Sequence, residues 1–279
     1  MTAAVDPHVH HWLRSAHPWY PGLENPAYSA IARDYVGADY RADCAAHEVM
    51  SVVHVSATSR PRAYLDEARW LDTMAKRDGW PAATIGSVDP ASPWEVVAAD
   101  LDEQLRSPLF RGVRVLYGLD PAAELTSRLL RRLRDDHLVL DLVTHPADMP
   151  AHLAMLDQVP ELTVIVEHAG WPLTTDPEHR EQWRSGMTAL ARRPNTYCKV
   201  SGLAMTLRTF ALDAQRPWIE GCLAAFGAHR CMVASNFPVD RMFGSYDDLY
   251  ATYRAVATQL STDDQDRLFG GNAREAYRL

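Results

Sequence analysis

Short apolar runs recur along the chain, and several of them lack the alternation of apolar and polar residues that marks a strand with one solvated face. Two examples are VMSVVHV at 49–55 and LTVIVEH at 162–168. Such continuous runs are typical of strands covered on both faces. The pattern predicts eight strands, at 5–10, 49–57, 82–88, 110–117, 138–145, 162–168, 196–202 and 231–236.

Longer segments with helical periodicity lie between these strands or follow the last one. They include 93–106, 122–135, 177–193, 217–226, 246–260 and 262–277. Strands that alternate with helices indicate a parallel sheet. Eight such units in about 250 residues match the α/β architecture of the (β/α)8, or TIM, barrel. A doubly wound sheet is the alternative, but no GxGxxG motif follows the first strand. We therefore predict a single barrel domain over residues 1–279.

Composition and charge narrow the classes of function. The 279 residues are 47% hydrophobic and 23% charged, which is usual for a folded soluble protein. The formal net charge is −8, which argues against a nucleic-acid partner. No apolar run reaches the ~18 residues that span a bilayer, and the opening MTAAVDPHVHHW lacks the features of a signal peptide. We therefore expect a cytoplasmic protein without a membrane partner, whose four cysteines are reduced thiols.

Histidines lie at the ends of several predicted strands, where the active sites of such barrels form. His8 and His10 in the first strand share one side of it, because side chains alternate along a strand. Two imidazoles so placed can bind one metal ion. The fifth and sixth strands end at His145 and His168, and the eighth ends at Asn236. Taken singly, each histidine has the alternative of being an ordinary polar residue whose hydrogen bonds are satisfied.

Three of the charged residues within predicted strands are candidate site residues, because solvated side chains are not expected there. Lys199 lies in the seventh strand, and a lysine that points into a barrel either pairs with an acid or holds an anionic group of the substrate. A surface position at the start of the strand is the alternative. Arg114 in the fourth strand has the fork geometry that binds a carboxylate. Asp141, in the middle of the fifth strand, is a candidate partner for either cation.

The motifs around these residues resemble those of the amidohydrolase-2 family. They are DPHVHHW at 6–12, GVR at 112–114, EHAGWP at 167–172, KVSG at 199–202 and SNFPVD at 235–240. Their order matches the family over nearly the whole chain. Within the family the chain is similar to the lactonase-like branch, which includes sugar-lactone hydrolases and a pyrone-dicarboxylate lactonase.

The resemblance implies a (β/α)8 barrel that hydrolyses a small lactone or related ester. It matches His8 and His10 to the family's first-strand pair and His168 to its sixth-strand histidine. It also matches Arg114 and Lys199 to positions that can hold a substrate carboxylate or the carbonyl oxygen.

Two positions depart from the family's pattern. Asn236 stands where the wider superfamily has an aspartate that acts as metal ligand or general base. An amide cannot take a proton from water, so it can only orient a nucleophile or coordinate through its oxygen. His145 stands where the lactonase-like branch tends to have a tyrosine, and it restores a histidine that many metal-dependent superfamily members use.

From the residues and the resemblance together, we predict a lactone-opening hydrolase with a small-molecule substrate that carries a carboxylate or hydroxyl groups. The predicted catalytic residues are His168, Asn236 and Lys199; the substrate-binding residues are Arg114, Trp171 and Asp141; the metal ligands are His8, His10 and His145. One divalent ion, Zn²⁺ or Mn²⁺, is expected and no organic cofactor. A metal-free mechanism, with a histidine as base and Asp240 to orient it, is the alternative.

Other functions also stay open at this point. One is a metal-dependent decarboxylase or hydratase that acts on a small unsaturated acid on the same scaffold. Another is a barrel that binds a small acid without turning it over. The sequence leaves the oligomeric state open, with a homo-oligomer among the options.

Overall fold

The computed structural model describes residues 4–58 and 60–279, and its centre is a ring of eight parallel strands. They are β1 (Ala4–Val9), β2 (Val49–Val55), β3 (Ala83–Gly86), β4 (Phe110–Arg114), β5 (Val139–Leu142), β6 (Val164–Val166), β7 (Thr196–Val200) and β8 (Cys231–Val233). Each strand pairs with the next along the chain. A parallel bridge between Val9 and Phe237 joins the last strand region to the first. The predicted (β/α)8 barrel is confirmed.

Helices surround this ring of strands. They are α1 (Gly37–Asp43), α2 (Ala63–Asp78), α3 (Trp94–Gln104), α4 (Glu124–Asp135), α5 (Met149–Leu156), α6 (Pro177–Ala191), α7 (Ala204–Leu207), α8 (Leu212–Phe226), α9 (Tyr246–Ala257), α10 (Thr262–Asp266) and α11 (Asn272–Tyr277). Helix α8 begins at Leu212, before the predicted start, and carries Pro217 in its interior. Within the described residues, no helix is both long and apolar enough to cross a membrane.

The chain after α9 closes the amino end of the barrel. The predicted helix at 262–277 is divided by a π-helical turn over Arg267–Gly271, in which Gly270 leaves helical geometry. Both this turn and α11 contact β1 and β8. Asn272 fastens the segment, because its side-chain amide donates to the carbonyl oxygens of Ala228 and Cys231 at 2.7 and 2.6 Å.

Two apolar regions hold the fold together. The larger one lies between the strands and the surrounding helices. The smaller one fills the barrel itself, where Val5, Val53, Ile165 and Met232 pack against Tyr277 from α11. This inner core leaves the carboxyl ends of the strands as the place where polar side chains gather.

Candidate active site

Two buried histidines, His8 and His10, lie at the carboxyl end of β1. Their Nε2 atoms are 3.2 Å apart. Nδ1 of His10 lies 2.8 Å from the carbonyl oxygen of Val55. Because that oxygen can only accept, Nδ1 carries the proton and Nε2 of His10 offers a lone pair. Burial lowers the pKa of both imidazoles well below the usual value, so both rings are neutral at neutral pH.

Glu167, directly after β6, is a wholly buried carboxylate among these groups. Its Oε1 lies 3.3 Å from Nδ1 of His8 and 3.8 Å from Nζ of Lys199, and its Oε2 lies 3.4 Å from a terminal nitrogen of Arg114. The sequence prediction does not include Glu167 in the site. The signal that could have found it is a charged residue at the end of an otherwise apolar run, next to a predicted site histidine.

Lys199 is wholly buried on β7. Its Nζ lies 2.5 Å from Oδ2 of Asp141 and 3.4 Å from Nδ1 of His8. The predicted pairing of Asp141 with a buried cation is therefore present, and the cation is Lys199. Burial raises the pKa of Asp141 to about 6, although the ammonium of Lys199 opposes that shift. The hydroxyl of Tyr277 also donates to Asp141, at 2.9 Å to Oδ1 and 3.1 Å to Oδ2.

Arg114 is buried at the end of β4 and is held by protein groups. One terminal nitrogen contacts Glu167, and the other donates to the backbone carbonyl oxygen of Ser56. These contacts orient the guanidinium within the site. The role in binding a substrate carboxylate stays a prediction.

His168 follows β6 and faces the β1 pair. Its ring centroid is 4.6 Å from that of His8, and its Nδ1 lies 3.0 Å from the hydroxyl of Ser201. Burial is the largest cause that lowers its pKa well below the usual value, so this imidazole is neutral as well. A Cβ at Gly202 would lie 2.6 Å from Nδ1 of His168, so only glycine admits the ring at this place.

The segment that carries His168 has an uncommon backbone. Four consecutive residues have positive φ: His168 (52°), Ala169 (53°), Gly170 (68°) and Trp171 (38°). Such conformations cost free energy at non-glycine residues and persist only where surrounding contacts enforce them. One such contact is the indole N–H of Trp183, which donates to the carbonyl oxygen of Ala169 at 2.6 Å. The turn places the rings of His168 and Trp171 5.2 Å apart.

His145 lies at the rim, partly exposed, with Nδ1 3.2 Å from the carbonyl oxygen of Trp171. Among the described residues, the group of side chains whose ligand atoms all lie within 4.8 Å of one another consists of His8, Glu167 and His168. The structure brings the Nε2 atoms of His8 and His10 together, as the spacing predicts, but neither His10 nor His145 belongs to that group. The metal-binding role of His145 stays a prediction.

Asn236 follows β8 in a left-handed conformation, with φ of 58°. Its side-chain Nδ2 donates to Oδ1 of Asp240 at 2.8 Å and lies 3.7 Å from the sulfur of Met205. These contacts use the donor side of the amide and leave its oxygen as the atom that can meet a ligand. Burial raises the pKa of Asp240 to about 8, and its Oδ2 has no hydrogen-bond partner among the described residues.

The donor set suits a divalent metal ion. Two Zn–N bonds of ~2.1 Å that meet near the tetrahedral angle span about 3.4 Å, close to the separation of the two Nε2 atoms. Oε1 of Glu167 is buried without a hydrogen bond in the part of the chain that the structure describes, although Nδ1 of His8 and the ammonium of Lys199 lie 3.3 and 3.8 Å away. Neutral imidazoles are ligands that zinc prefers, and a carboxylate at the other ring nitrogen of a ligating histidine is a usual partner of such a site.

Several known proteins are similar to this chain in sequence or in fold. L-fucono-1,5-lactonase from Burkholderia ambifaria is 30% identical over 293 residues, which cover 100% of this chain and 97% of that protein. An amidohydrolase from Burkholderia multivorans, crystallised with bound zinc, superposes with a TM-score of 0.85 at 25% identity, with both chains fully covered. A candidate 2-pyrone-4,6-dicarboxylic acid hydrolase from Pseudomonas putida has a TM-score of 0.75 at 22% identity, covering 100% of this chain and 98% of that one.

The sequence profile described as amidohydrolase matches residues 5–279. This match runs through every strand of the barrel and includes all the side chains gathered at its mouth. The resemblance noted in the sequence motifs is thereby confirmed, and the chain belongs to the amidohydrolase family.

Proposed function

We propose that the protein opens a small, uncharged sugar lactone at the carboxyl mouth of its barrel. The observation that carries the proposal is the convergence of three neutral histidines, His8, His10 and His168, with the buried carboxylate of Glu167. A ring ester is opened by an activated water, and such a cluster can both bind a metal ion and move a proton. The relative named L-fucono-1,5-lactonase supports a sugar lactone as the substrate class.

The charge balance around His8 favours an uncharged substrate. Lys199 pairs with Asp141, and Arg114 contacts Glu167. Each buried cation in this group thus has a carboxylate partner in the protein. A substrate carboxylate would therefore have no unpaired cation here to bind. Burial of an unpaired carboxylate is costly. A lactone that carries hydroxyl groups fits this site better than a dicarboxylate does.

Two of the side chains, His8 and His10, would hold a divalent ion through their facing Nε2 atoms. Oε1 of Glu167, 3.3 Å from Nδ1 of His8, would accept the proton on that nitrogen and so orient the ring. When bound, such an ion would polarise the lactone carbonyl and lower the pKa of water. The hydrogen bond between Nδ1 of His10 and the carbonyl oxygen of Val55 fixes the ring for this task, since it keeps the lone pair on Nε2.

His168 is the proposed acid–base residue. With Nδ1 directed at the hydroxyl of Ser201, its Nε2 remains to accept a proton from the attacking water. The water oxygen forms a bond to the carbonyl carbon, the ring C–O bond breaks, and the same proton passes to the departing alkoxide. The product is the open-chain hydroxy acid, which releases its carboxyl proton at neutral pH. The oxygen of Asn236 orients the water, because the amide nitrogen is held by Asp240.

Lys199 acts on this reaction electrostatically, from the Nδ1 side of His8. Its ammonium lies beside Nδ1 of His8 and stabilises the negative charge that develops as water attacks. Trp171, whose ring packs against that of His168, provides an apolar wall for the sugar ring.

The direct test is acid release from a panel of lactones, followed by mass analysis of the products. L-fucono-1,5-lactone and other uncharged sugar lactones should be opened with the addition of one water, and 2-pyrone-4,6-dicarboxylate should be a poor substrate. Loss of carbon dioxide from an unsaturated acid would replace the proposal with a decarboxylase. Binding without turnover across the panel would favour a barrel that only binds its ligand.

A further inference from the structure

The C-terminal helix reaches the site from the opposite end of the barrel. Helix α11 lies under the amino ends of the strands, yet Tyr277 on this helix is wholly buried inside the barrel. Its backbone carbonyl oxygen accepts a hydrogen bond of 2.9 Å from the side chain of Arg111, in β4. The aromatic ring of Tyr277 would fill this space equally well without its hydroxyl group. Packing therefore does not explain why the residue is a tyrosine.

That hydroxyl begins a row of polar contacts that ends at His8. Tyr277 donates to both oxygens of Asp141, at 2.9 and 3.1 Å. Oδ2 of Asp141 lies 2.5 Å from Nζ of Lys199, which in turn lies 3.4 Å from Nδ1 of His8. All four side chains are fully buried. Nζ of Lys199 also lies 5.2 Å from the centre of the Tyr277 ring, so ring and hydroxyl contact both members of the ion pair.

The row of contacts makes the position of Lys199 depend on Tyr277. The ammonium has a second carboxylate within reach, because Oε1 of Glu167 lies 3.8 Å away. The hydroxyl of Tyr277 favours the ionised form of Asp141 and fixes its direction, and so keeps the ammonium on the Asp141 side. Electrostatic interactions are strong in a buried site, so a small displacement of this charge changes the field at His8.

We propose that Tyr277 is a positioning residue of the candidate active site, and that it acts on His8 through Asp141 and Lys199. Removal of the hydroxyl should loosen the ion pair and leave the charge of Lys199 less compensated beside His8. The expected effect on turnover rests on the proposed function, whereas the effect on His8 does not.

The test compares Tyr277→Phe, which removes only the hydroxyl, with Tyr35→Phe as a matched control. Tyr35 is also buried and donates to a carboxylate, that of Asp43, at 2.7 Å. This carboxylate pairs with Arg241 on the protein surface and not with a residue of the site. The two readouts are the ring ¹⁵N chemical shifts of His8, assigned with a His8→Gln variant, and kcat/KM for an uncharged sugar lactone.

We expect Tyr277→Phe to move the ¹⁵N resonances of His8 and to lower kcat/KM by roughly tenfold or more, since a hydrogen bond to a charged group is lost. Tyr35→Phe should do neither. In an Asp141→Asn background, the added Tyr277→Phe substitution should change the His8 resonances and kcat/KM little further, because the hydroxyl of Tyr277 acts on His8 through Asp141. Circular dichroism and thermal melting establish that each variant folds.

Several outcomes would overturn the proposal. One is an unchanged His8 resonance in Tyr277→Phe, even if the variant is less stable, because that result marks a purely structural residue. Another is a shifted resonance with normal turnover of a lactone that the wild type opens. If the wild type opens no lactone and the His8 resonance still moves, the proposed function fails while the link from Tyr277 to His8 stands.

Discussion

Nε2 of His8 and Nε2 of His10 face each other at 3.2 Å in the barrel mouth. Because the Nδ1 proton of His10 is engaged by the carbonyl oxygen of Val55, a proton between the two Nε2 atoms must belong to His8. When a metal ion binds at the two Nε2 atoms instead, the single ring proton of neutral His8 must lie on Nδ1. There Oε1 of Glu167 is 3.3 Å away and can accept it.

The first prediction concerns Glu167. Glu167→Gln should weaken zinc binding by ~10–100-fold, since the variant loses the carboxylate that accepts the Nδ1 proton of the metal-binding His8. Competition with a chromophoric chelator measures the affinity. Glu67→Gln is the matched control, because Glu67 is also buried but contacts Tyr20 and His54 instead of His8. Equal zinc affinity in the wild type and both variants would contradict this role.

The second prediction concerns His168. His168→Ala should leave the fold intact and lower kcat/KM by ~100-fold or more, because the variant lacks the proposed acid–base group. His47→Ala is the control, since His47 pairs with Asp247 far from the mouth, at the amino end of the barrel. Steady-state kinetics and melting temperatures of the three proteins check the prediction. Near-normal turnover in His168→Ala would remove this residue from the mechanism.

The third prediction concerns the stability of the buried ion pair. Lys199→Met and Asp141→Asn should each lower the free energy of unfolding by about 3–5 kcal/mol, because each leaves the partner without its counter-charge. The double variant should lose much less than the sum, since no unpaired charge remains. Urea unfolding of the four proteins gives the coupling free energy. Additive losses would show that the two side chains do not stabilise each other.

The fourth prediction concerns Asp240, whose pKa is raised to about 8 by burial. The folded protein then binds this proton more tightly than the unfolded chain does. Its contribution to stability is therefore fully present below the usual aspartate pKa of 3.8 and is lost as the pH rises through about 8. The expected slope from this group approaches ~1.4 kcal/mol per pH unit between these limits.

Asp240→Asn, which cannot ionise, should remove that slope and keep an oxygen that accepts from Asn236. Urea unfolding of wild type and variant at several pH values in this window measures the difference in slope. Identical pH dependence in the two proteins would show that Asp240 is already ionised when folded.

The strands are predictable from the sequence because burial on both faces leaves continuous apolar runs, although each predicted strand extends one to three residues past the observed carboxyl end. The helix predicted at 262–277 shows the limit of periodicity, since the apolar spacing continues through Gly270 and Gly271 while the backbone there forms a π-helical turn. Pro217 shows another limit. A proline is read as the start of a helix, yet α8 tolerates it in its interior.

The site is predictable only where local spacing determines it. His8 and His10 lie on the same side of β1 because they are two residues apart in a strand. Lys199, a lysine within an apolar strand, indicates a buried acidic partner. Glu167 and Tyr277 are different, because their roles depend on how strands far apart in sequence, and the C-terminal helix, converge on Asp141 and His8. Likewise, the rim position of His145 depends on the path of the loop after β6, which its own strand does not determine.

The most direct test of the central claim is the initial rate of acid release from an uncharged sugar lactone, measured before chelation, after chelation and after zinc is added back. The account predicts turnover that chelation abolishes and zinc restores. Zinc-loaded, folded protein that opens no uncharged lactone would contradict it.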